Sequence, residues 1–314
     1  MKLTTTTGDF AYGYPTDAER IQALHRAGFR HIDLSLYGEA RSNSPYLCDG
    51  WEKEVDLLRR TADACGMDFV QSHAPGGNPL SFDSQWELLL ASTIRTLEIC
   101  RMLGIPNTVV HVGWADDLRS SRKTDRELYF ARNMKFINAV IPTMEKTGVS
   151  VLVENSTHAN MGDRCYLYSG QDMKDFTEYA HHPLIGACWD TGHANIEGNQ
   201  YDDILAMGSC LRAIHFNDNR GTQDEHLMPY LGTLNVDEVM CGLKDIHYDG
   251  VFTFECDSSL RPAQYWLGNR REWRGCKPEN NRCIEPPAAL REAMEHALYQ
   301  CGAELLTAYG YPVE

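Results

Sequence analysis

The sequence lacks the patterns that mark secreted, zinc-ribbon and membrane proteins. Its 11 cysteines occur singly, with no CxxC pair and no regular spacing, which argues against a disulfide framework or a zinc ribbon. The first residues, MKLTTTTGDF, contain no apolar signal-peptide region, and no apolar run approaches the roughly 18 residues that span a bilayer. These absences predict a cytoplasmic protein with reduced thiols and no membrane partner.

Positive charge is also scarce. The chain has 29 Lys and Arg residues against 44 Asp and Glu residues, a formal net charge of −15. Such a chain repels phosphate backbones at long range unless a local basic patch overrides the mean charge. The densest basic run, residues 270–274 (RREWR), is more typical of a solvated loop than of an anion site. Nucleic acid is therefore disfavoured as a partner.

The chain does contain eight short apolar runs that alternate with amphipathic segments. The predicted strands are residues 2–7, 30–36, 69–73, 108–112, 150–154, 185–190, 212–216 and 251–255. The predicted helices are residues 17–27, 52–65, 85–103, 127–147, 171–179 and 236–247, and a last helix follows a surface excursion at 277–287. Strands that alternate with helices of this length predict right-handed βαβ units and a parallel sheet.

Glycines support this division of the chain. Gly28, Gly66, Gly104 and Gly148 each follow a helical pattern and precede a strand, where a glycine commonly ends a helix. The turn after the first strand, residues 8–13 (GDFAYG), lacks the glycine-rich fingerprint of a dinucleotide-binding open sheet. We therefore predict an α/β protein whose residues 1–314 form a single (β/α)8 TIM-barrel domain.

Polar residues that can bind a metal end six consecutive predicted strands. They are His73, His111, Glu154, Asp190, His215 and Glu255. The carboxyl ends of barrel strands converge on one rim, and buried carboxylates that face one another need a cation to offset their repulsion. We predict that the last four bind one divalent metal. Three carboxylates and one imidazole suit Mn²⁺, Mg²⁺ or Co²⁺ better than structural zinc.

A second polar group follows His215. In an extended segment, Asp224 and His226 would point to the same side. They form either a second metal pair or a substrate clamp, and an ordinary polar loop is the third interpretation.

Four motifs together resemble the xylose isomerase-like barrel superfamily. They are residues 151–155 (VLVEN), 190–194 (DTGHA), 215–219 (HFNDN) and 224–227 (DEHL), and the resemblance covers about residues 2–300. This group includes sugar isomerases, ketose 3-epimerases, inosose dehydratases, hydroxypyruvate isomerases and endonuclease IV. The resemblance implies a dimer or tetramer as well as the fold.

The epimerase pattern implies a role for each matching residue. Glu154, Asp190, His215 and Glu255 would hold the metal, and Glu154 and Glu255 would sit on opposite faces of the substrate as acid and base. His193 would contact substrate oxygens. Arg220 lies one residue short of the position of a substrate-binding arginine.

The chemistry expected from this resemblance is proton transfer alpha to a carbonyl through a metal-bound enediolate, in carbohydrate metabolism. His73, His111 and Trp114 would line the pocket, with Trp114 either against a sugar ring or packed in the core. Because no phosphate loop is present, an unphosphorylated sugar, inositol or glycoside is favoured. Mn²⁺ is the expected cofactor, with Mg²⁺, Co²⁺ and Zn²⁺ as alternatives.

Endonuclease IV provides the sharpest alternative function. Its three-zinc set matches His73, His111, Glu154, Asp190, His193, His215, Asp224, His226 and Glu255. The net charge and the flanking residues 72–77 and 225–229 favour the sugar-acting branch. A further alternative is the metal-dependent subunit of a C-glycoside-cleaving lyase. The sequence thus predicts a metal-dependent sugar isomerase or epimerase.

Overall fold

The structure is a computed structural model that describes residues 1–11, 13–81, 83–257 and 287–314. Within these ranges, eight parallel strands form one sheet in the order β1-β8-β7-β6-β5-β4-β3-β2. A parallel bridge between Thr6 and Asp33 brings β1 beside β2 and nearly closes the sheet into a barrel. The strands are β1 Lys2–Thr5, β2 His31–Ser35, β3 Asp68–His73, β4 Asn107–His111, β5 Ser150–Glu154, β6 Ile185–Asp190, β7 Leu211–Phe216 and β8 Val251–Phe254.

Helices connect the strands and cover the outside of the barrel, which gives the TIM-barrel fold expected from the sequence. They are α1 Asp17–Ala27, α2 Glu52–Cys65, α3 Ser84–Leu103, α4 Arg126–Thr147, α5 His158–Met161, α6 Gly170–Ala180, α7 Thr191–Glu197, α8 Gln200–Met207, α9 Val236–Asp245 and α10 Ala288–Ala308. None of the described helices is long and apolar enough to cross a membrane.

Local signals in the sequence explain where the helices begin and end. Thr16 caps α1 by accepting a hydrogen bond from the Glu19 N–H, while the Glu19 carboxylate accepts one from the Thr16 N–H. The four predicted glycines end α1 to α4 in the left-handed conformation. The helix bounds predicted from sequence therefore agree with the structure to within two residues.

Three helices were missed by the sequence analysis. The segment between β6 and β7 contains α7 and α8, and the loop after β5 contains the one-turn α5. Seven or eight residues hold too few turns to display an apolar period, so the sequence pattern does not reveal them. The basic run at 270–274 and all but the last residue of the excursion at 277–287 lie outside the described residues.

The core has an outer and an inner part. Large side chains such as Phe29, Phe176 and Trp189 are fully buried in the main hydrophobic cluster. A separate small cluster is contributed by β4 to β7, one residue from each strand: Val109, Leu152, Cys188 and Ala213. Each of these lies two residues before a rim residue, and alternate residues of a strand share a face, so this cluster fills the barrel interior.

Candidate metal centre and active site

The four predicted metal ligands meet at the carboxyl-terminal rim of the barrel. Glu154 ends β5, Asp190 ends β6, His215 lies one residue before the end of β7, and Glu255 directly follows β8. One ligand atom from each residue lies within 4.8 Å of those of the other three. This buried cluster, which we call the rim cluster, could hold a metal ion.

The atoms of Glu154 show how well the rim cluster fits a cation. Its Oε1 lies 2.9 Å from Nδ1 of His215, and the same nitrogen lies 3.5 Å from Oε1 of Glu255. Its Oε2 lies 3.0 Å from Nε2 of His111 but accepts no hydrogen bond from the described residues. A buried carboxylate oxygen without a donor is costly. Three carboxylates and an imidazole supply the mostly oxygen ligands of a divalent ion.

The pKa values of the two glutamates of the rim cluster are shifted in opposite directions. Burial raises the pKa of Glu255 to about 7, with the Glu154 charge adding to the rise and His215 opposing it. Burial acts in the same direction on Glu154, but His215 and His111 outweigh it and hold the pKa of Glu154 well below its usual range. Two carboxyl groups whose pKa values are pushed apart are suited to act as base and acid.

Asp190 is oriented by its position as the N-cap of α7. Its Oδ1 accepts a hydrogen bond from the backbone N–H of His193 at 2.7 Å, as the cap of α7. Its Oδ2 accepts one from Nδ2 of Asn217 at 2.8 Å. Hydrogen bonds to a candidate ligand fix its direction toward the ion.

His73 and His111 lie on the other side of Glu154. Their Nε2 atoms are 3.5 Å and 3.0 Å from Oε2 of Glu154. Nδ1 of His73 pairs with the carbonyl of Ala74 at 2.7 Å, so Nδ1 carries the proton and Nε2 faces the glutamate with its lone pair when the ring is neutral. His73, Glu154 and His215 could also hold an ion on their own.

A second cluster, which we call the outer triad, consists of His193, Asp224 and His226. Nε2 of His193 lies 3.2 Å from Oδ2 of Asp224, and Nε2 of His226 lies 3.2 Å from Oδ1. The expectation of an extended segment was wrong, because His226 has a φ of 49° in the left-handed region. The two residues nevertheless approach each other, and the triad could hold an ion.

Opposite charges dominate the outer triad. The Asp190 and Asp224 carboxylates outweigh burial and raise the pKa of His193 to about 10. The two imidazoles likewise outweigh burial and lower the pKa of Asp224. The backbone carbonyl of Asn155 lies 2.9 Å from Nδ1 of His193, and that of Glu255 lies 2.9 Å from Nδ1 of His226. The triad is therefore tied to strands β5 and β8.

Both clusters contribute side chains to the wall of one cavity of about 970 Å³ at the barrel mouth. Trp114 belongs to its wall, as one of the two expectations for this residue had it, and its backbone N–H and carbonyl are held by the side chain of Asn78. Arg220 does not join it: its side chain is 65% exposed and pairs with Glu225. Asp190 and His215 also do not line the cavity, but they complete the rim cluster. All the other predicted site residues line it.

Sequence reasoning missed Tyr37 as a wall residue. Its ring centroid lies 5.4 Å from that of His73 and 5.5 Å from that of His111, in edge-on contacts. Gly76 makes room for it, because a Cβ there would lie 2.5 Å from the Tyr37 ring. Tyr37 follows β2 and Gly76 follows β3, and only the fold brings these two loops together.

Comparison with known proteins agrees with this architecture. A family model described as xylose isomerase-like TIM barrel matches residues 21–296. The chain belongs to this family. Several structural neighbours of this family member are sugar epimerases. D-Psicose 3-epimerase from Clostridium cellulolyticum H10, solved with D-tagatose, shares 20% identity at a TM-score of 0.70 over 98% of this chain and 99% of that chain.

Two sequence relatives extend the comparison. The uncharacterized protein y4fM of Sinorhizobium fredii is 26% identical over 258 residues, which cover 75% of this chain and 79% of that protein. A probable endonuclease 4 of Methanoculleus marisnigri is 27% identical over 199 residues, which cover 55% of this chain and 65% of that protein.

Proposed function

We propose that this chain is a metal-dependent sugar isomerase or epimerase that moves a proton at the carbon alpha to a carbonyl. The observation that carries the proposal is the pair Glu154 and Glu255. Both carboxylates reach the same nitrogen of His215, and their pKa values are shifted in opposite directions. A binding module would have no use for two glutamates poised as base and acid.

Glu154, Asp190, His215 and Glu255 would hold the metal, for which we propose Mn²⁺ first and Mg²⁺, Co²⁺ or Zn²⁺ as alternatives. When bound, it supplies a Lewis acid for the carbonyl and adjacent hydroxyl of the sugar. Glu154, ionised at neutral pH, removes the proton from one face of the alpha carbon. Glu255 would deliver a proton to the opposite face, and the two glutamates would exchange roles in the reverse reaction.

The outer triad and the aromatic wall position the sugar. His193, Asp224 and His226 line the cavity, and substrate hydroxyls would take over hydrogen bonds that these three side chains now share with one another. Tyr37 and Trp114 give the cavity apolar faces that can pack against C–H groups of a sugar. We propose an unphosphorylated sugar, inositol or glycoside as the substrate class.

The test is an assay of purified protein on a panel of ketohexoses, inososes and ketoglycosides. Protein with one equivalent of Mn²⁺ should interconvert at least one pair of isomers or epimers. Glu255→Gln should lose this turnover, whereas Glu98→Gln, which changes a carboxylate that pairs with Arg95 on α3, should retain it. Failure to interconvert any member of the panel, together with cleavage of abasic DNA, would refute the proposal.

One observation favours a second candidate, a trinuclear zinc phosphodiesterase that acts on abasic DNA. Three groups at the barrel mouth could each hold an ion: the rim cluster, His73 with Glu154 and His215 of that cluster, and the separate outer triad. The net charge of −15 opposes binding to a DNA backbone. Metal analysis separates the candidates, because the sugar enzyme should hold one ion and Asp224→Asn should not lower that content. Three tightly held zinc ions, reduced in Asp224→Asn, would support the phosphodiesterase.

A further inference from the structure

A polar patch lies inside the barrel, below the rim cluster. On β2, β3 and β8, the inward positions that correspond to the small apolar cluster of β4 to β7 are occupied by Asp33, Gln71 and Thr253, and none of the three is exposed to solvent. Burying a carboxylate and an amide in a barrel interior is costly unless they serve a partner.

Gln71 connects this patch to the rim cluster. Its Nε2 lies 2.7 Å from Oδ2 of Asp33, 3.2 Å from Oγ1 of Thr253 and 3.2 Å from Nε2 of His215. Strands β3 and β7 are not neighbours in the sheet, so the contact with His215 crosses the barrel interior. The imidazole therefore has Gln71 at one nitrogen and the carboxylates of the rim cluster at the other.

The position of the proton on the His215 imidazole decides whether Gln71 must offer a hydrogen-bond donor or an acceptor to Nε2 of His215. If Nδ1 of His215 donates to Oε1 of Glu154, 2.9 Å away, then Nε2 is an acceptor and suits the amide nitrogen of Gln71. If Nδ1 binds a metal, the neutral ring carries its proton on Nε2 and needs an acceptor there. A glutamine amide offers both a donor, its nitrogen, and an acceptor, its oxygen. Oε1 of Gln71 accepts no hydrogen bond from the described residues.

We propose that Gln71 is a positioning residue of the metal centre, whose amide turns its oxygen toward Nε2–H of His215 when Nδ1 binds the metal. The Thr253 hydroxyl, which lies 3.2 Å from Nε2 of Gln71, can accept from the amide nitrogen or donate to the amide oxygen that takes its place. Burial raises the pKa of Asp33, against the opposing effect of His215, and in its protonated form this carboxyl would donate to the same oxygen. The inference rests on the metal centre of the proposed function, not on its substrate.

The test uses full-length protein, Zn²⁺ as the probe, and competition with a chelator. Gln71→Met, which keeps the length of the side chain and removes the amide, should weaken Zn²⁺ binding about 10- to 100-fold. Asn133→Leu is the control, because Asn133 is also buried and bonded, to Gly113 and Tyr129, without contacting the rim cluster ligands. This control should leave Zn²⁺ affinity unchanged.

A rescue and a spectrum make the test specific. Combining Asp33→Asn with Gln71→Glu places an acceptor opposite Nε2 of His215 and a donor behind it, and should restore the affinity lost in Gln71→Met. Nitrogen-15 spectra of Zn²⁺-loaded, histidine-labelled wild-type protein should show the His215 proton on Nε2. Wild-type affinity in Gln71→Met, no recovery in the double variant, or a proton on Nδ1 would each overturn the inference. None of these readouts depends on sugar turnover, so failure of the proposed function would be seen separately.

Discussion

Nδ1 of His215 lies 2.9 Å from Oε1 of Glu154, and neither residue exposes more than 2% of its surface. This contact joins β7 to β5, two strands that are not adjacent in the sheet. It places a basic nitrogen and a carboxylate where the proposed metal would bind both of them.

Removal of the metal should destabilise the protein. Without a cation, the buried carboxylates of the rim cluster repel one another, whereas an ion that binds only the folded state stabilises it. Mn²⁺ at about 100 times its Kd should add about 2.7 kcal/mol to the free energy of unfolding relative to chelator-treated protein. Scanning calorimetry with and without Mn²⁺ measures this difference, and Asp190→Asn should abolish most of it. Equal melting temperatures for treated and Mn²⁺-loaded protein would contradict the metal assignment.

Gly76→Ala should weaken substrate binding by moving the Tyr37 ring. The new Cβ would lie 2.5 Å from that ring, which must then leave its place beside His73 and His111. We expect KM to rise on the order of 10-fold, equivalent to about 1.4 kcal/mol of binding, with a smaller change in kcat. Gly13→Ala is the control, since Gly13 does not line the cavity and a Cβ there would come no closer than 3.7 Å to any neighbouring atom. An unchanged KM in Gly76→Ala would show that the ring does not contact the substrate.

Glu295 on α10 should make stability depend on pH. Burial raises its pKa to about 8, with Asp257 adding to the rise and Arg291 opposing it. Because the folded-state pKa lies above the unfolded value, the stability from protonated Glu295 is fully present below the unfolded pKa and is lost as the pH rises through about 8.

Glu295→Gln should therefore become more stable relative to wild type between pH 5 and pH 9, by roughly 1.4 kcal/mol for each unit of pKa shift at most. Urea titrations across this range measure the difference. Glu304→Gln, an exposed change on the same helix, should show a difference that does not vary with pH. A stability gain for Glu295→Gln that is constant with pH would exclude the linkage.

Much of the fold followed from the sequence because barrel strands are buried on both faces. Short strand-like runs that alternate with amphipathic segments identified all eight strands, and the predicted bounds of β5 and β6 coincide with the structure. The short helices α7 and α8 escaped because seven or eight residues hold too few turns to display an apolar period. Local pattern therefore located the strands better than the connections.

The candidate site divides in the same way. Its rim residues could be predicted because each lies at, or one residue from, the carboxyl end of a predicted strand. Asp33 and Gln71 could not, because a polar residue inside an apolar run gives no indication of which face it occupies until the barrel closes. Tyr37 depends on the space at Gly76, a contact between two loops that the sequence leaves 39 residues apart.

Solvent-deuterium exchange tests the central claim most directly. Mn²⁺-loaded protein acting on its substrate in deuterium oxide should place deuterium on the alpha carbon of the product, because Glu154 and Glu255 exchange their protons with solvent between turnovers. Glu154→Gln and Glu255→Gln should each lose about 10²- to 10⁴-fold in both turnover and deuterium incorporation, while Glu98→Gln behaves as wild type. Isomer formation without deuterium in the product, or full turnover in either active-site variant, would contradict the account.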